Sequence, residues 1–340
     1  MVEPVPESGA EPPLRDRLDP IAAPAPRYLT APDVAVVTSY FNSHNYASKR
    51  RGFELFRHSM ERSGVSLFIG ECAFGEEEFE LAPASSVFQF RCRDLMWQKE
   101  RLLNLTIDRV PDRYTKIAWV DADVLFTNPR WLVEASERLD DVPVIQPFSH
   151  AVRLRPRETS YYGGGQGFRG FCFTRSALPA LSRLRYHIHG HTGLAWAADR
   201  QLLSDLGLYD AAIGGSADHL MAHAFCGDFA TACLHVVFGG RSSYLEHFRR
   251  WAQAAWARVR GRLGCLGGAA LHLWHGETVN RGYVRRYRQL TGLGYDPAVH
   301  LRAQPGGLWA WSDEGAFLSE WANGYFRDRR EDSALGIAGR

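Results

Sequence analysis

One short segment, KIAWVDADVLFTN at residues 116–128, constrains the fold more than any other part of the chain. Residues 117–120 form an unbroken apolar run, which predicts a buried strand. Two carboxylates, Asp121 and Asp123, follow this strand directly, and another apolar run comes next at residues 124–126. Burying a charged group is costly unless the group is paired or binds a metal. We therefore expect the two carboxylates to have a function at the end of a core strand.

The surrounding pattern predicts the fold class. Strand-like runs at residues 34–40 and 65–71 alternate with helical patterns. Such alternation is typical of an α/β sheet with crossover helices. Residues 194–210, LAWAADRQLLSDLGLYD, are expected to be helical. We predict a disordered Pro-rich leader at 1–32, one domain at 33–310, and a C-terminal helix and tail at 311–340.

Composition excludes several classes of function. The net charge of +2 indicates no strong attraction to nucleic acid or to a membrane surface. The six cysteines form no C-x-x-C pair, so we expect reduced thiols in a cytoplasmic protein. The start of the chain lacks an apolar core of the signal-peptide type, and no run reaches the roughly 18 apolar residues of a membrane span. Peripheral contact with a membrane stays open.

The carboxylates and two late histidines predict a metal site. Residues i and i+2 of an extended chain point to the same side, so Asp121 and Asp123 are expected to converge on Mg²⁺ or Mn²⁺. The alternative is a solvated turn. In LHLWHGE, His272 and His275 end an apolar strand, and neutral imidazole is a good ligand for Mn²⁺. Gly276 permits a close approach of the backbone to a ligand, which favours His275 over His272 as the metal ligand. The alternative is that His272 packs in the core and His275 makes a structural hydrogen bond.

Two further positions are candidates for the chemistry. The glycine turn in IGGSAD places Asp218 near a predicted helix start, where it is either a helix cap or a general base for an acceptor hydroxyl. Arg281 lies near the histidines in sequence, so we expect it to reach a diphosphate.

Three motifs taken together resemble a family. WVDADVLF, GGSAD and HLWHG, in this order, resemble the GT-A glycosyltransferases over roughly residues 34–290. The resemblance implies a Rossmann-type mixed sheet flanked by helices, with a C-terminal helical elaboration. It also implies a nucleotide-sugar donor, commonly UDP-linked, and a divalent metal, Mn²⁺ or Mg²⁺.

The same resemblance implies roles for individual residues. Asp123 would bind the metal directly, Asp121 would contact the ribose or a metal-bound water, and His275 would complete the metal site. Asp218 matches the catalytic carboxylate of the inverting members, with Ala217 where their motif has Glu. The implied donor-site residues are Thr38, Ser39, Tyr40, Glu71, Lys99, Asn104, Asp121, Ala122, Asp123 and Arg281.

The sequence therefore predicts a hexosyltransferase that uses a UDP-sugar and acts, with inversion, on a glycan or another hydroxyl acceptor. Two other readings stay open. One is a different metal-dependent nucleotide-sugar enzyme, a hydrolase or a nucleotidyltransferase, although no phosphate loop of the G-x-x-x-x-G-K type is present. The other is a non-catalytic carbohydrate-binding protein. The sugar, the acceptor and the oligomeric state do not follow from the sequence.

Overall fold

The computed structural model of the chain describes residues 22–163, 167–179, 188–229, 231–240 and 242–333. Its strands are β1 Val34–Tyr40, β2 Leu67–Phe74, β3 Val87–Cys92, β4 Lys116–Val120, β5 Val124–Phe126, β6 Val144–Gln146, β7 His150–Arg153, β8 Gly167–Arg169, β9 Ala195–Asp199, β10 Leu263–Cys265, β11 Ala269–His272, β12 Leu301–Ala303 and β13 Trp309–Trp311. Its α-helices are α1 Ala47–Glu61, α2 Lys99–Ile107, α3 Trp131–Leu139, α4 Phe171–Ala177, α5 Arg200–Leu206, α6 Ala217–Phe225, α7 Ala232–Phe238, α8 Ser243–Val259, α9 Tyr283–Gly292, α10 Pro297–His300 and α11 Leu318–Asp328. A 3₁₀ helix covers Thr278–Arg281.

The larger sheet has seven strands in the order β10-β6-β9-β4-β1-β2-β3. The strands β4, β1, β2 and β3 run parallel to one another, whereas β9 is antiparallel to both β4 and β6. The sheet is therefore mixed. The predicted fold class, an α/β mixed sheet flanked by helices, is confirmed.

Helices bury both faces of this sheet. Successive residues of β1 enter opposite cores: Val37 packs in one core with Leu103 of α2, and Val36 packs in the other with Phe56 of α1. All four side chains are at most 1% exposed. Because both faces of the sheet are buried, the sequences of these strands are continuous apolar runs and do not alternate between apolar and polar residues. Truncating Phe56 to alanine should cost about 3–5 kcal/mol of stability.

A second, four-stranded sheet in the order β5-β11-β7-β8 brings distant parts of the chain together. The chain leaves β4, turns at Asp121–Asp123 and continues into β5. Strand β11 pairs antiparallel with β5, which sets His272 opposite Val124. The amide of Leu273 then donates to the carbonyl of Asp123 at 2.9 Å. This register carries the late histidines to the early carboxylates.

The prediction of a helix throughout residues 194–210 is wrong for its first part. Residues Ala195–Asp199 form β9, which lies between β4 and β6, and only Arg200–Leu206 is helical. A short apolar run is compatible with a buried strand as well as a buried helix. Here the two neighbouring strands satisfy its backbone, and Asp199 ends the strand by capping α5 through the amides of Gln201 and Leu202.

Both ends of the described chain contact the domain. Residues 1–21 of the predicted leader lie outside the described residues. Further along, Tyr28 is 3% exposed and packs edge-on against Phe126 and Trp131. Near the other end, the carboxylate of Asp332 accepts hydrogen bonds from the first amides of α1, which satisfies donors that a helix start leaves unpaired. The predicted domain boundaries stay predictions.

In the described part of the chain, every helix is too short or too polar to cross a lipid bilayer.

Candidate active site

A cleft of about 440 Å³ lies at the ends of β1 and β4 and at the turn before β5. This volume is typical of a small-molecule site, and the carboxyl ends of parallel strands are where α/β sheets bind ligands. Its lining is rich in charged and imidazole side chains. The charged and imidazole side chains of the lining include Lys49, Lys99, Asp121, Asp123, Arg153, Asp218, His272, His275, Arg281, Arg286 and Arg329. Ser39, Tyr40 and Ala122 also line the cleft.

Asp123, His272 and His275 form a candidate metal centre at one side of the cleft. The Nε2 atom of His275 lies 3.0 Å from Oδ2 of Asp123, and Nε2 of His272 lies 3.6 Å from Oδ1. The two Nε2 atoms are 3.1 Å apart. One carboxylate and two imidazoles at these distances offer three converging ligand atoms for a divalent cation.

The electrostatic state of these groups fits a metal. Burial and the nearby Arg281 lower the pKa of His275 to about 4, so its ring is neutral and has a lone pair to donate. Burial alone would raise the pKa of Asp123, but His272 and His275 hold it well below its usual range. Among the described residues, none donates a hydrogen bond to the buried Oδ1 atom of Asp123. A cation would satisfy this oxygen.

The C-terminal segment supplies a carboxylate behind this centre. Oε2 of Glu331 lies 3.5 Å from Nδ1 of His275, on the side of the ring away from Asp123. Glu331 is only 2% exposed, and its other oxygen pairs with Arg329 at 2.5 Å. Burial alone would raise the pKa of Glu331, but Arg329 and His275 hold it well below its usual range. A carboxylate in this position orients a metal-binding imidazole.

A second group of charges centres on Lys99. Its Nζ atom lies 2.6 Å from Oδ1 of Asp121, 2.8 Å from Oδ2 of Asp218 and 3.8 Å from Oε1 of Glu100. Burial alone would lower the pKa of Lys99, but the carboxylates raise it well above its ordinary value. The lysine is therefore a fixed positive charge that joins the D-x-D turn to α6.

The structure places Asp121 in the Lys99 group and Asp123 in the metal centre. The two carboxylates diverge because residues 121–123 form a turn, whereas the shared side that we expected requires an extended chain.

Asp218 lies in the first turn of α6, after Ser216, which has a left-handed backbone at φ 70°. Such strain in a non-glycine residue is most common at functional sites.

Positive side chains cover the cleft wall next to the metal centre. Nη2 of Arg281 lies 2.7 Å from Nε2 of His275. Burial alone would raise the pKa of Tyr283, but Arg281, Arg286 and Arg153 lower it to about 7. Three guanidinium groups near one phenol make this part of the cleft wall strongly positive, which favours the binding of an anion.

Some candidate donor-site residues have structural contacts instead. Thr38 donates to the carbonyl of Val120 at 2.7 Å, which ties β1 to β4. Glu71 accepts from the amides of Glu80 and Leu81 and holds that loop. Asn104 exchanges hydrogen bonds with the backbone of Leu208. None of these three is among the residues that line the described cleft.

Ser39, Tyr40, Ala122 and Lys99 do line the cleft. The hydroxyl of Tyr40 donates to Glu80 at 2.6 Å, so its ring is fixed at the cleft edge.

Sequence reasoning missed several residues of the site. His272 was rated below His275, although both enter the metal centre. Arg329 and Glu331 were not considered. The local sequence around a basic or acidic residue in a C-terminal segment does not show that its side chain will be buried. The apolar stripe of α11, which docks the tail through Phe326 against Phe41, was the one available indication.

Three solved structures are similar to this chain. The catalytic domain of Drosophila β1,4-galactosyltransferase 7 with xylobiose is 14% identical, with a TM-score of 0.29, over 56% of this chain and 58% of that one. A mutant of the same enzyme with manganese, UDP-Gal and xylobiose is 13% identical, with the same TM-score and coverage. Mannosyl-3-phosphoglycerate synthase from Rubrobacter xylanophilus is 13% identical, with a TM-score of 0.38, over 84% of this chain and 85% of that one.

All three are structures of glycosyltransferases, the class that the sequence motifs resemble. This chain spans little more than half the length of the galactosyltransferase structures. No family model and no curated protein matches the chain. Similarities of this degree do not assign a family.

Proposed function

We propose that this chain is a metal-dependent glycosyltransferase that moves a hexose from a nucleotide-sugar to an acceptor hydroxyl. The observation that carries this proposal is the presence of two complementary groups in one cleft. Asp123, His272 and His275 are suited to hold a divalent cation, and Asp218, held by Lys99, is suited to accept a proton. Sugar transfer with inversion from a diphosphate donor can use both functions.

The metal centre and its cationic neighbours are assigned to the leaving group. Two imidazoles and one carboxylate favour Mn²⁺ over Mg²⁺, because Mg²⁺ prefers oxygen ligands. The bound ion would neutralise charge on the diphosphate. Arg281, adjacent to His275, would hold a phosphate through its planar fork of N–H donors.

Asp218 is assigned as the general base. The acceptor oxygen bonds to the anomeric carbon while the bond from that carbon to the diphosphate breaks, and the acceptor proton passes to the Asp218 carboxylate. Attack opposite the leaving group inverts the anomeric configuration. Lys99 Nζ donates to Oδ2 of Asp218 at 2.8 Å and fixes the direction of this carboxylate. Asp121, on the other side of Lys99, is assigned to the donor nucleotide.

The identities of the nucleotide and the acceptor are proposed from the resemblance of the sequence motifs. UDP is the proposed nucleotide, on the resemblance of the sequence motifs, and a glycan or another hydroxyl compound is the proposed acceptor. Ser39, Tyr40 and Ala122 line the part of the cleft assigned to the nucleoside.

The test is nucleotide release from a panel of UDP-, GDP-, CDP- and dTDP-hexoses in the presence of Mn²⁺. We expect release of UDP from at least one UDP-sugar and none with EDTA. Asp218→Asn should abolish release and keep the affinity for UDP, whereas Asp313→Asn, at an exposed aspartate outside the cleft lining, should change neither. Release from no sugar nucleotide, with every candidate acceptor, would refute the proposal.

The same assay, with NMR of its product, distinguishes inverting transfer from hydrolysis of the sugar nucleotide and from transfer with retention. Free sugar formed at the same rate with and without an acceptor would indicate a hydrolase. A product with the donor's anomeric configuration, measured by NMR, would remove the general-base role of Asp218.

A further inference from the structure

Three histidines and a cysteine come together in the core beside the cleft, and one of them, His219, also lines the cleft. His189, His219, His223 and Cys233 are all buried, and each offers one ligand atom within 4.8 Å of the other three. The three imidazole rings have centroids 4.7–5.0 Å apart. Nε2 of His223 lies 3.2 Å from Sγ of Cys233. None of these four residues belongs to the candidate metal centre or to the Lys99 group.

The four residues come from three separate segments. His219 and His223 are four residues apart on α6, a spacing that places them on one face of a helix. Cys233 lies in the first turn of α7, and His189 precedes the Gly190–Gly193 segment that borders the cleft. Chain folding has thus collected four groups of metal-ligand type from three segments of the chain. Placing polar groups in an apolar core is costly unless they are hydrogen-bonded or hold a ligand there.

Two of the imidazoles are oriented as metal ligands are. Nδ1 of His189 donates to the carbonyl of Gly190 at 2.8 Å, which leaves Nε2 as the nitrogen with the lone pair. Nδ1 of His223 lies 3.9 Å from a carboxylate oxygen of Asp228, while its Nε2 atom faces Cys233. Metal-binding histidines usually direct their second nitrogen to a backbone carbonyl or a carboxylate in this way.

The protonation states agree with this arrangement. Burial lowers the pKa of His219 well below its usual value, and burial lowers the pKa of His223 to about 3. Both rings are therefore neutral and able to ligate. Burial raises the pKa of Cys233 to about 11, so its thiol would give up a proton on binding a cation.

We infer that His189, His219, His223 and Cys233 form a second metal site, a closed structural site for Zn²⁺. Three nitrogens and one thiolate are a ligand set that zinc takes in tetrahedral geometry, with neighbouring ligand atoms about 3.3–3.7 Å apart. The ligand atoms lie at most 4.8 Å apart here, so the largest separation exceeds these values by about 1–1.5 Å. Four protein ligands leave no open position, which distinguishes a structural site from a catalytic one.

The position of this site indicates a structural role beside the cleft. The zinc would join α6, which carries Asp218, to α7 and to the segment at Gly190 on the cleft wall. It would therefore fix the general base relative to the rest of the cleft. The inference is independent of the proposed reaction, since it concerns ligand chemistry in the core.

Cobalt substitution tests the site with a signal that the cleft metal cannot give. Co²⁺ bound to a thiolate shows a charge-transfer band in the near ultraviolet, and the cleft centre has no thiolate. We expect zinc in the purified full-length chain at one ion per molecule after dialysis against EDTA, and the charge-transfer band in protein grown with cobalt in place of zinc. Cys233→Ser should remove the band, whereas Cys265→Ser and Asp123→Asn should keep it.

A second variant protects the test against a failure to fold. His223→Cys would keep a complete ligand set with two thiolates, so its cobalt form should show a more intense band. Wild-type protein that contains no zinc and shows no charge-transfer band would overturn the inference. A band that persists unchanged in Cys233→Ser would overturn it as well.

Discussion

Glu331 Oε2 lies 3.5 Å from Nδ1 of His275, so a residue near the C-terminus contacts the imidazole whose other nitrogen faces Asp123. The ion pair between Glu331 and Arg329 holds this carboxylate in place. The contact makes the C-terminal segment part of the candidate metal centre. It also explains why a buried acidic residue is retained there, since burying a carboxylate without partners would be costly.

Glu331→Gln should weaken the binding of Mn²⁺ by about 10- to 100-fold, the usual effect of losing a carboxylate behind a metal-binding histidine. Titration of Mn²⁺ followed by electron paramagnetic resonance measures this affinity. Asp328→Asn is the matched control, because Asp328 is in the same segment and pairs with Arg285 and Arg327 at the surface. Equal affinities in wild type and Glu331→Gln would show that Glu331 does not support the metal.

Lys99→Met should lower the free energy of unfolding by about 3–5 kcal/mol, because it leaves Asp121 and Asp218 in the cleft without their shared cation. Urea unfolding measures the loss. Lys116→Met should cost less, because its partner Asp140 is 70% exposed and regains water. Adding Asp121→Asn to Lys99→Met should restore part of the stability. A double variant less stable than Lys99→Met would contradict a charge effect.

Glu100 predicts a pH dependence of stability. Burial, opposed by Lys99, raises the pKa of Glu100 to about 8. Between its ordinary value of 4.5 and about 8, the folded protein binds a proton that the unfolded chain has lost, so this residue makes stability fall as pH rises through that range. Glu100→Gln should therefore stabilise the protein at pH 7 by at least about 1.4 kcal/mol, a tenfold change in proton affinity.

Unfolding of wild type and Glu100→Gln across pH 5–9 checks this prediction. The difference in stability should be small at the acid end of the range and increase toward the alkaline end. Two curves that stay parallel would show that Glu100 ionises normally in the folded state.

Local pattern was enough to predict the α/β class of the fold. The strand at residues 117–120 and the carboxylates after it indicated a functional strand end, and the cleft lies there. The helix predicted at residues 194–199 failed because a short apolar run fits either structure, and the partner strands decide between them.

The composition of the site depended on contacts that no local pattern shows. The pairing of β11 with β5 places His272 beside Asp123. The turn at residues 121–123 sends Asp121 to Lys99. Asn104 was expected at the donor site, but its helix position directs it to the backbone of Leu208. In the group of His189, His219, His223 and Cys233, the H-x-x-x-H spacing of His219 and His223 is visible in the sequence, but only folding brings His189 and Cys233 to them.

The central claim is that Asp123, His272 and His275 hold a metal that binds a nucleoside diphosphate. Calorimetric titration of UDP into the purified protein, first with Mn²⁺ and then with EDTA, tests it most directly. We predict micromolar binding with Mn²⁺, none with EDTA, and none in Asp123→Asn or His272→Gln. Binding of UDP that neither EDTA nor these substitutions reduce would contradict the claim, as would the failure of UDP, GDP, CDP and dTDP alike to bind with Mn²⁺.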